Sequence, residues 1–225
     1  MLTQQLYDDR AGASQAAAAF LSNQLSNAVE ERGKALCALS GGTSPIATYN
    51  KLRDKDLPWE HIKVTLTDER LVPVTHPDSN AGMLLRELLV GDASAANFIS
   101  LYRGTHLFPQ TESDLRSLSK PYDVVLLGMG EDGHVASLFP NAPDLAEKLQ
   151  STNSTELAVT THQEAVRITL TPHELLNARH IALLFFGSAK RDVYDKALAG
   201  DDVVELPVRF VLNQDKVPVT LFWAP

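Results

Sequence analysis

Three short segments of this chain collect residue types that can hold an anion and activate water. The first is Ser40-Gly41-Gly42-Thr43-Ser44-Pro45. Two adjacent glycines let a backbone approach a ligand closely, and a helix opening at the proline presents free N–H groups to a negative charge. Thr43 and Ser44 add hydroxyl donors. The same glycine pair also reads as a plain turn. Ala38-Leu39-Ser40-Gly41-Gly42 further approximates the G-x-S-x-G elbow of a serine nucleophile, with Ala38 in place of the first glycine and Asp132 and His162 as later acid and base. The second segment is Thr67-Asp68-Glu69-Arg70, followed by Val72-Pro73 and His76-Pro77-Asp78-Ser79-Asn80. One cation and two carboxylates there are either a solvated corner or a working cluster on a loop stiffened by two prolines, with Ser79 or Asn80 capping the next helix.

The third segment, Gly128-Met129-Gly130-Glu131-Asp132-Gly133-His134, spells G-x-G-x-x-G. A dinucleotide fingerprint must open a helix, yet Pro140 and Pro143 follow closely, which excludes that use. Three glycines around Asp132 and His134 instead describe a tight loop that leaves an imidazole unshielded. Late in the chain, Arg167 lies in the strand-like Val166-Arg167-Ile168-Thr169-Leu170, and Lys190 follows the turn at Gly187. Each could be a surface charge or face the same crevice as the loops. The histidines are His61, His76, His106, His134, His162, His173 and His180. No pair is spaced four apart on a helix, no H-E-x-x-H occurs, and one cysteine cannot build a thiolate site, so no metal is expected.

Positioning these residues requires strands that end at them. Ala35–Leu39, His61–Leu66, Asp123–Leu127, Ala165–Leu170, Ile181–Phe186 and Val217–Trp223 read as strands. Ala11 to Gly33, Pro45–Arg53, Asn80–Leu89, the stretch after Pro172, and Ala189–Leu198 read as helices. Apolar runs without clean alternation predict strands covered on both faces, as in a parallel sheet between helices. Ligands of such sheets bind outside the carboxyl ends of the strands, where all three segments fall.

The chain has 225 residues, 44% hydrophobic and 21% charged, with a net charge of −8. A single domain spanning residues 1–225 is expected, without repeats or low-complexity blocks. The acidic balance argues against sequence-independent binding of nucleic acid. It does not oppose a small anion, because local cations outweigh a net charge screened over about 10 Å. The first residues show no secretory signal, no apolar run reaches the roughly 20 residues of a membrane span, and the lone Cys37 suits a reducing compartment. A cytoplasmic setting without membrane contact is expected.

Together, Leu39–Pro45, Asp68-Glu69-Arg70 with Val72-Pro73 and His76…Ser79-Asn80, and Gly128–Pro140 resemble the 6-phosphogluconolactonases of the wider glucosamine-6-phosphate isomerase/deaminase group. Order and spacing agree from about residue 10 to the C-terminus; Thr43-Ser44-Pro45 stands where Ser-Thr-Pro is usual. The resemblance implies a Rossmann-like α/β fold, a mostly parallel sheet with helices on both faces. It implies hydrolysis of 6-phospho-D-glucono-1,5-lactone in the oxidative pentose phosphate pathway, by a monomer or homodimer without metal or organic cofactor. The related deaminases place a glutamate in a Phe-Asn-Glu-Pro-like stretch; Ser137-Leu138-Phe139-Pro140 carries no carboxylate. A deaminase/isomerase and a non-catalytic sugar-phosphate binder remain the alternatives. For lactone hydrolysis, an imidazole that titrates near pH 6.5 is a suitable base. His134 takes that role, with Asp132 or Asp68 holding the ring or the water and Arg70 on the carbonyl or sugar hydroxyls. Ser40, Gly41, Gly42, Thr43, Arg167 and Lys190 are the expected substrate and phosphate ligands.

Overall fold

Strands with no polar face must bury both sides, and Ala35–Leu39 and Ile181–Phe186 do so almost throughout. In the computed structural model, which describes residues 1–104, 108–143, 145–150, 157–162 and 165–225, these runs form the middle of a sheet. His106 lies outside the described residues. In chain order the elements are β1 (Leu2–Leu6), α1 (Arg10–Arg32), β2 (Ala35–Leu39), α2 (Ile46–Arg53), β3 (Ile62–Leu66), β4 (Asp68–Arg70), α3 (Asn80–Glu87), β5 (Asn97–Ile99) and α4 (Phe108–Arg116). They continue with β6 (Val124–Leu127), α5 (Leu145–Gln150), β7 (Leu157–His162), β8 (Ala165–Leu170), α6 (Pro172–Leu176), β9 (Ile181–Phe186), α7 (Ser188–Leu198), α8 (Arg209–Leu212) and β10 (Val219–Ala224).

Seven strands pair in the order β1-β10-β9-β6-β2-β3-β5, every pair parallel, with helices around the sheet. From β2 the chain moves outward through β3 to β5. It then returns to β6 on the other side of β2 and moves outward again through β9 to β10. The gap beyond the carboxyl ends of β2 and β6 is therefore a topological switch point, the place where such sheets open a crevice for ligands.

Local chemistry sets the helix limits. The Asp9 carboxylate accepts the Gly12 N–H at 2.7 Å to start α1, and Gly33, at φ 71°, closes it with an N–H bond to the Val29 carbonyl. Ala13, Ala17, Leu21, Leu25 and Ala28 form its buried stripe, and the small residues let the helix sit close to the sheet. No helix among the described residues is long and apolar enough to cross a membrane.

The sequence predicts Ala165–Leu170 as one more strand of the covered sheet. It lies instead in a separate three-stranded antiparallel sheet, β4-β8-β7. Its burial changes along its length rather than from face to face: Val166 is exposed at the open end, whereas Ile168, Thr169 and Leu170 are buried where the strand meets the large sheet's loops. Four of the described strands are additional to those expected: β1 and β5 at the two edges of the large sheet, β7 at one edge of the small one, and β4, which Asp68-Glu69-Arg70 forms by pairing with Thr169-Ile168-Arg167.

Candidate active site

The loop after β2 and the loop after β6 face one another across the switch point and line a cavity of about 230 Å³. Ser40, Gly41, Gly42, Thr43, Asp68, Arg70, His134, Arg167 and Lys190 all line it, together with Asn80, Met129 and Ala136. Asp132 stands behind His134 rather than on the wall. Its Oδ1 lies 2.5 Å from Nδ1 of the imidazole and accepts the His134 backbone N–H at 3.1 Å. With Nδ1 engaged, the remaining ring nitrogen, Nε2, is the one available to a substrate or water. Burial lifts the Asp132 carboxyl, but hydrogen bonding and charge from His134 outweigh it and hold the group below the usual carboxylate range. The loop must be glycine-rich for this contact. A Cβ on Gly130 would fall 2.2 Å from His134 Nδ1 and 2.5 Å from Asp132 Oδ1, and Gly133 sits at φ 80°. Gly128–Gly133 opens no helix, as the prolines imply.

The opposite wall is built from β4, β8 and the start of α3. Glu69 is buried and accepts the backbone N–H groups of Arg70, Asn80 and Ala81 at 2.7–2.8 Å, plus the Ser79 hydroxyl at 3.2 Å. Burial pushes its carboxyl up while these four donors pull it down, with burial ahead. Ser79 caps α3 through the Gly82 N–H. Asn80, expected only as a capping alternative, is the hub. Its Nδ2 donates to the Asp68 carbonyl at 2.8 Å and its Oδ1 accepts from Arg70 Nη1 at 2.7 Å. Asn80 also rests on Gly41, where a Cβ would come within 1.9 Å of Asn80 Oδ1. The Ser137 hydroxyl donates to Asp68 Oδ2 at 2.6 Å, tying the two walls together.

Arg70 and Arg167 are direct partners across the β4–β8 pair. Like charges placed so are unfavourable unless an anion joins them. Burial, then the Arg70 charge, lowers the Arg167 guanidinium from its ordinary value. The Nε of each is buried without a hydrogen-bond partner among the described residues. Phe139 packs between Arg167, whose guanidinium carbon lies 5.3 Å from the ring centre, and the His134 imidazole, 4.6 Å away. Lys190, in the first turn of α7, is lowered chiefly by burial, against the charges of Glu131 and Asp132.

The serine-elbow alternative is overturned. The Ser40 hydroxyl is buried with no hydrogen-bond partner among the described residues, and Asp132, the acid that alternative requires, is engaged by His134 instead. Asn80, Ser137 and Phe139 were not singled out as site residues, because their roles depend on contacts between distant segments.

Residues 8–223 match the family model described as "Glucosamine-6-phosphate isomerases/6-phosphogluconolactonase". The chain belongs to this family. It is 41% identical to a 6-phosphogluconolactonase of Mesorhizobium japonicum over 97% of this chain and 94% of that one. It is 38% identical to one of Neisseria meningitidis serogroup A over 97% of each. A crystal structure of a 6-phosphogluconolactonase from Shewanella baltica superposes with a TM-score of 0.95 at 35% identity, covering 100% of this chain and 98% of that one. Within the family, the loops that the sequence singles out are the ones that meet at the switch point.

Proposed function

We propose that this chain hydrolyses 6-phospho-D-glucono-1,5-lactone to 6-phosphogluconate, in the pentose phosphate pathway, with His134 as the general base. The observation that carries the base assignment is the Asp132–His134 contact on the wall of the cavity that also holds the glycine pair and three cations. Lactone hydrolysis is the activity named for the relatives above. A water at His134 Nε2 gives its proton to the imidazole as its oxygen attacks C1. Arg70, braced by Asn80, stabilises the alkoxide that forms; donors of this kind contribute about 3–4 kcal/mol. The alkoxide then collapses, the bond between C1 and the ring oxygen breaks, and the imidazolium returns the proton to that oxygen. Gly42 and Thr43, with Arg167 and Lys190, hold the dianionic phosphate through backbone N–H groups and charge. Asp68 is pinned by Ser137, which suits it to hold the sugar or the water rather than to move.

A deaminase would need a carboxylate in the Ser137–Pro140 stretch to move protons between C1 and C2, and the position nearest His134 is taken by the apolar ring of Phe139. A cytoplasmic setting fits the single, buried thiol of Cys37, whose ionisation burial strongly disfavours. His134→Ala is expected to lower kcat by about 10²–10⁴-fold with little change in KM. The check is a coupled assay with fresh lactone, a blank for spontaneous opening, and ammonia release from glucosamine 6-phosphate alongside. Unchanged kcat in the variant removes His134 as the base, and ammonia release removes the lactonase assignment.

A further inference from the structure

At the opposite, amino-terminal ends of β2, β3 and β6 lies a second cavity of about 380 Å³. Its floor is chiefly Pro121, with the almost fully buried Ala35 and Leu36 beneath, and its rim carries Arg32, Lys34, Lys63, Lys120 and Arg179. A quarter of the chain's 20 lysines and arginines thus surround one opening in a molecule whose net charge is −8. The carboxylates on the rim are Glu60 and Asp123.

These acids account for only some of the cations. Buried Asp123 accepts the Leu36 N–H at 2.8 Å and Arg32 at 2.8 Å, and stands 3.4 Å from Arg179. Lys120 is paired with Glu174. Glu60, exposed, lies nearest His61 at 3.9 Å. That leaves Lys34, which donates to the Ser119 hydroxyl at 2.8 Å, and Lys63, an exposed position on an otherwise buried strand. Neither makes an ion pair among the described residues. The C-terminus of α1 explains a cation at Arg32 and Lys34 through the helix dipole. It does not explain Lys63, which comes from β3.

We propose that this cavity binds a small organic phosphate, its phosphate between Lys34 and Lys63 and its carbon skeleton against Pro121 and the aliphatic stems of the rim lysines. The apolar floor selects an organic ester over the bare ion, and the unpaired lysines select an anion over a neutral molecule. Lactone hydrolysis at the other end of the sheet uses none of these residues.

Phenyl phosphate is the probe, titrated into the isotopically labelled full chain and followed by amide shifts. Saturable shifts are expected at Lys34, Lys63 and Asn97, separate from those at Gly41 and Gly42. The double variant Lys34→Glu with Lys63→Glu should weaken the first set at least tenfold and leave lactonase activity and the second set unchanged. Inorganic phosphate should bind the first set more weakly than phenyl phosphate. Shifts confined to Gly41 and Gly42, or first-set binding that the double variant does not weaken, overturn the proposal. Equal binding of inorganic phosphate overturns the role of the apolar floor.

Discussion

Asp132 and His134 are separated by one glycine, and the turn between them folds the carboxylate back onto the imidazole at 2.5 Å. The contact fixes Nδ1 and, in the proposed mechanism, stabilises the imidazolium that would form when water is deprotonated. Because Asp132 is held below the ordinary carboxylate range, it stays charged through the pH window in which an imidazole titrates. The sign follows: a carboxyl with a lowered folded value contributes stability above its unfolded value, and that contribution fades as pH falls through the folded one. Asp132→Asn should keep the fold and lower kcat about tenfold or more, since the base loses its orienting partner. An unchanged kcat in Asp132→Asn would show that Asp132 does not act through His134.

At the scale of elements, the central strands of the large sheet and the long helices were readable because each carries its own signal, whereas the short edge strands β1 and β5 were not. Gly33 ends α1, Ser79 begins α3, and the limits of β2, β3, β6 and β9 fall within a residue or two of those expected. The small sheet was not readable as such. Asp68-Glu69-Arg70 looks like a charged corner until β8 is brought beside it. Neither segment encodes that pairing alone, nor does either show that Arg70 and Arg167 become neighbours. For the same reason Asn80 read as a helix cap, although its side chain joins Arg70, Asp68 and the Gly41 backbone. Gly41 is required by that junction rather than by its own dihedral angles. Gly41→Ala puts a methyl group onto an amide already tied at both ends, so Asn80 must leave and release Arg70. Overpacking of this kind costs about 1–3 kcal/mol. The expected result is a modest fall in Tm with a far larger loss of kcat/KM. Equal, small losses in both would mean that Asn80 does not brace the arginine.

For the whole molecule, the proposed site belongs to neither sheet. The seven-stranded sheet supplies the glycine pair and the Asp132–His134 loop, and the three-stranded sheet supplies Asp68, Arg70 and Arg167. Among the described residues, polar links that join the two include Thr67 N–H to the Leu39 carbonyl, Leu170 N–H to the Thr67 carbonyl, Ser137 N–H to the Thr169 hydroxyl, and the Ser137 hydroxyl to Asp68. The paired arginines stand as like charges in register, offset only in part by Asp68, Asp78 and Glu69. A phosphorylated product that touches both sheets therefore ties them together and relieves that repulsion. Ligand that binds only the folded state, present at a hundred times its Kd, stabilises by about 2.7 kcal/mol. For a chain of this size that corresponds to a rise in Tm of roughly 5–10 °C. 6-Phosphogluconate should raise Tm by such an amount, and Arg167→Ala should lose most of the rise at the same ligand concentration. The variant without ligand should hold or gain stability, because removing one of two opposed guanidiniums removes a cost. Thermal scans with and without ligand measure both effects, and an undiminished rise in the variant would take Arg167 out of the phosphate site.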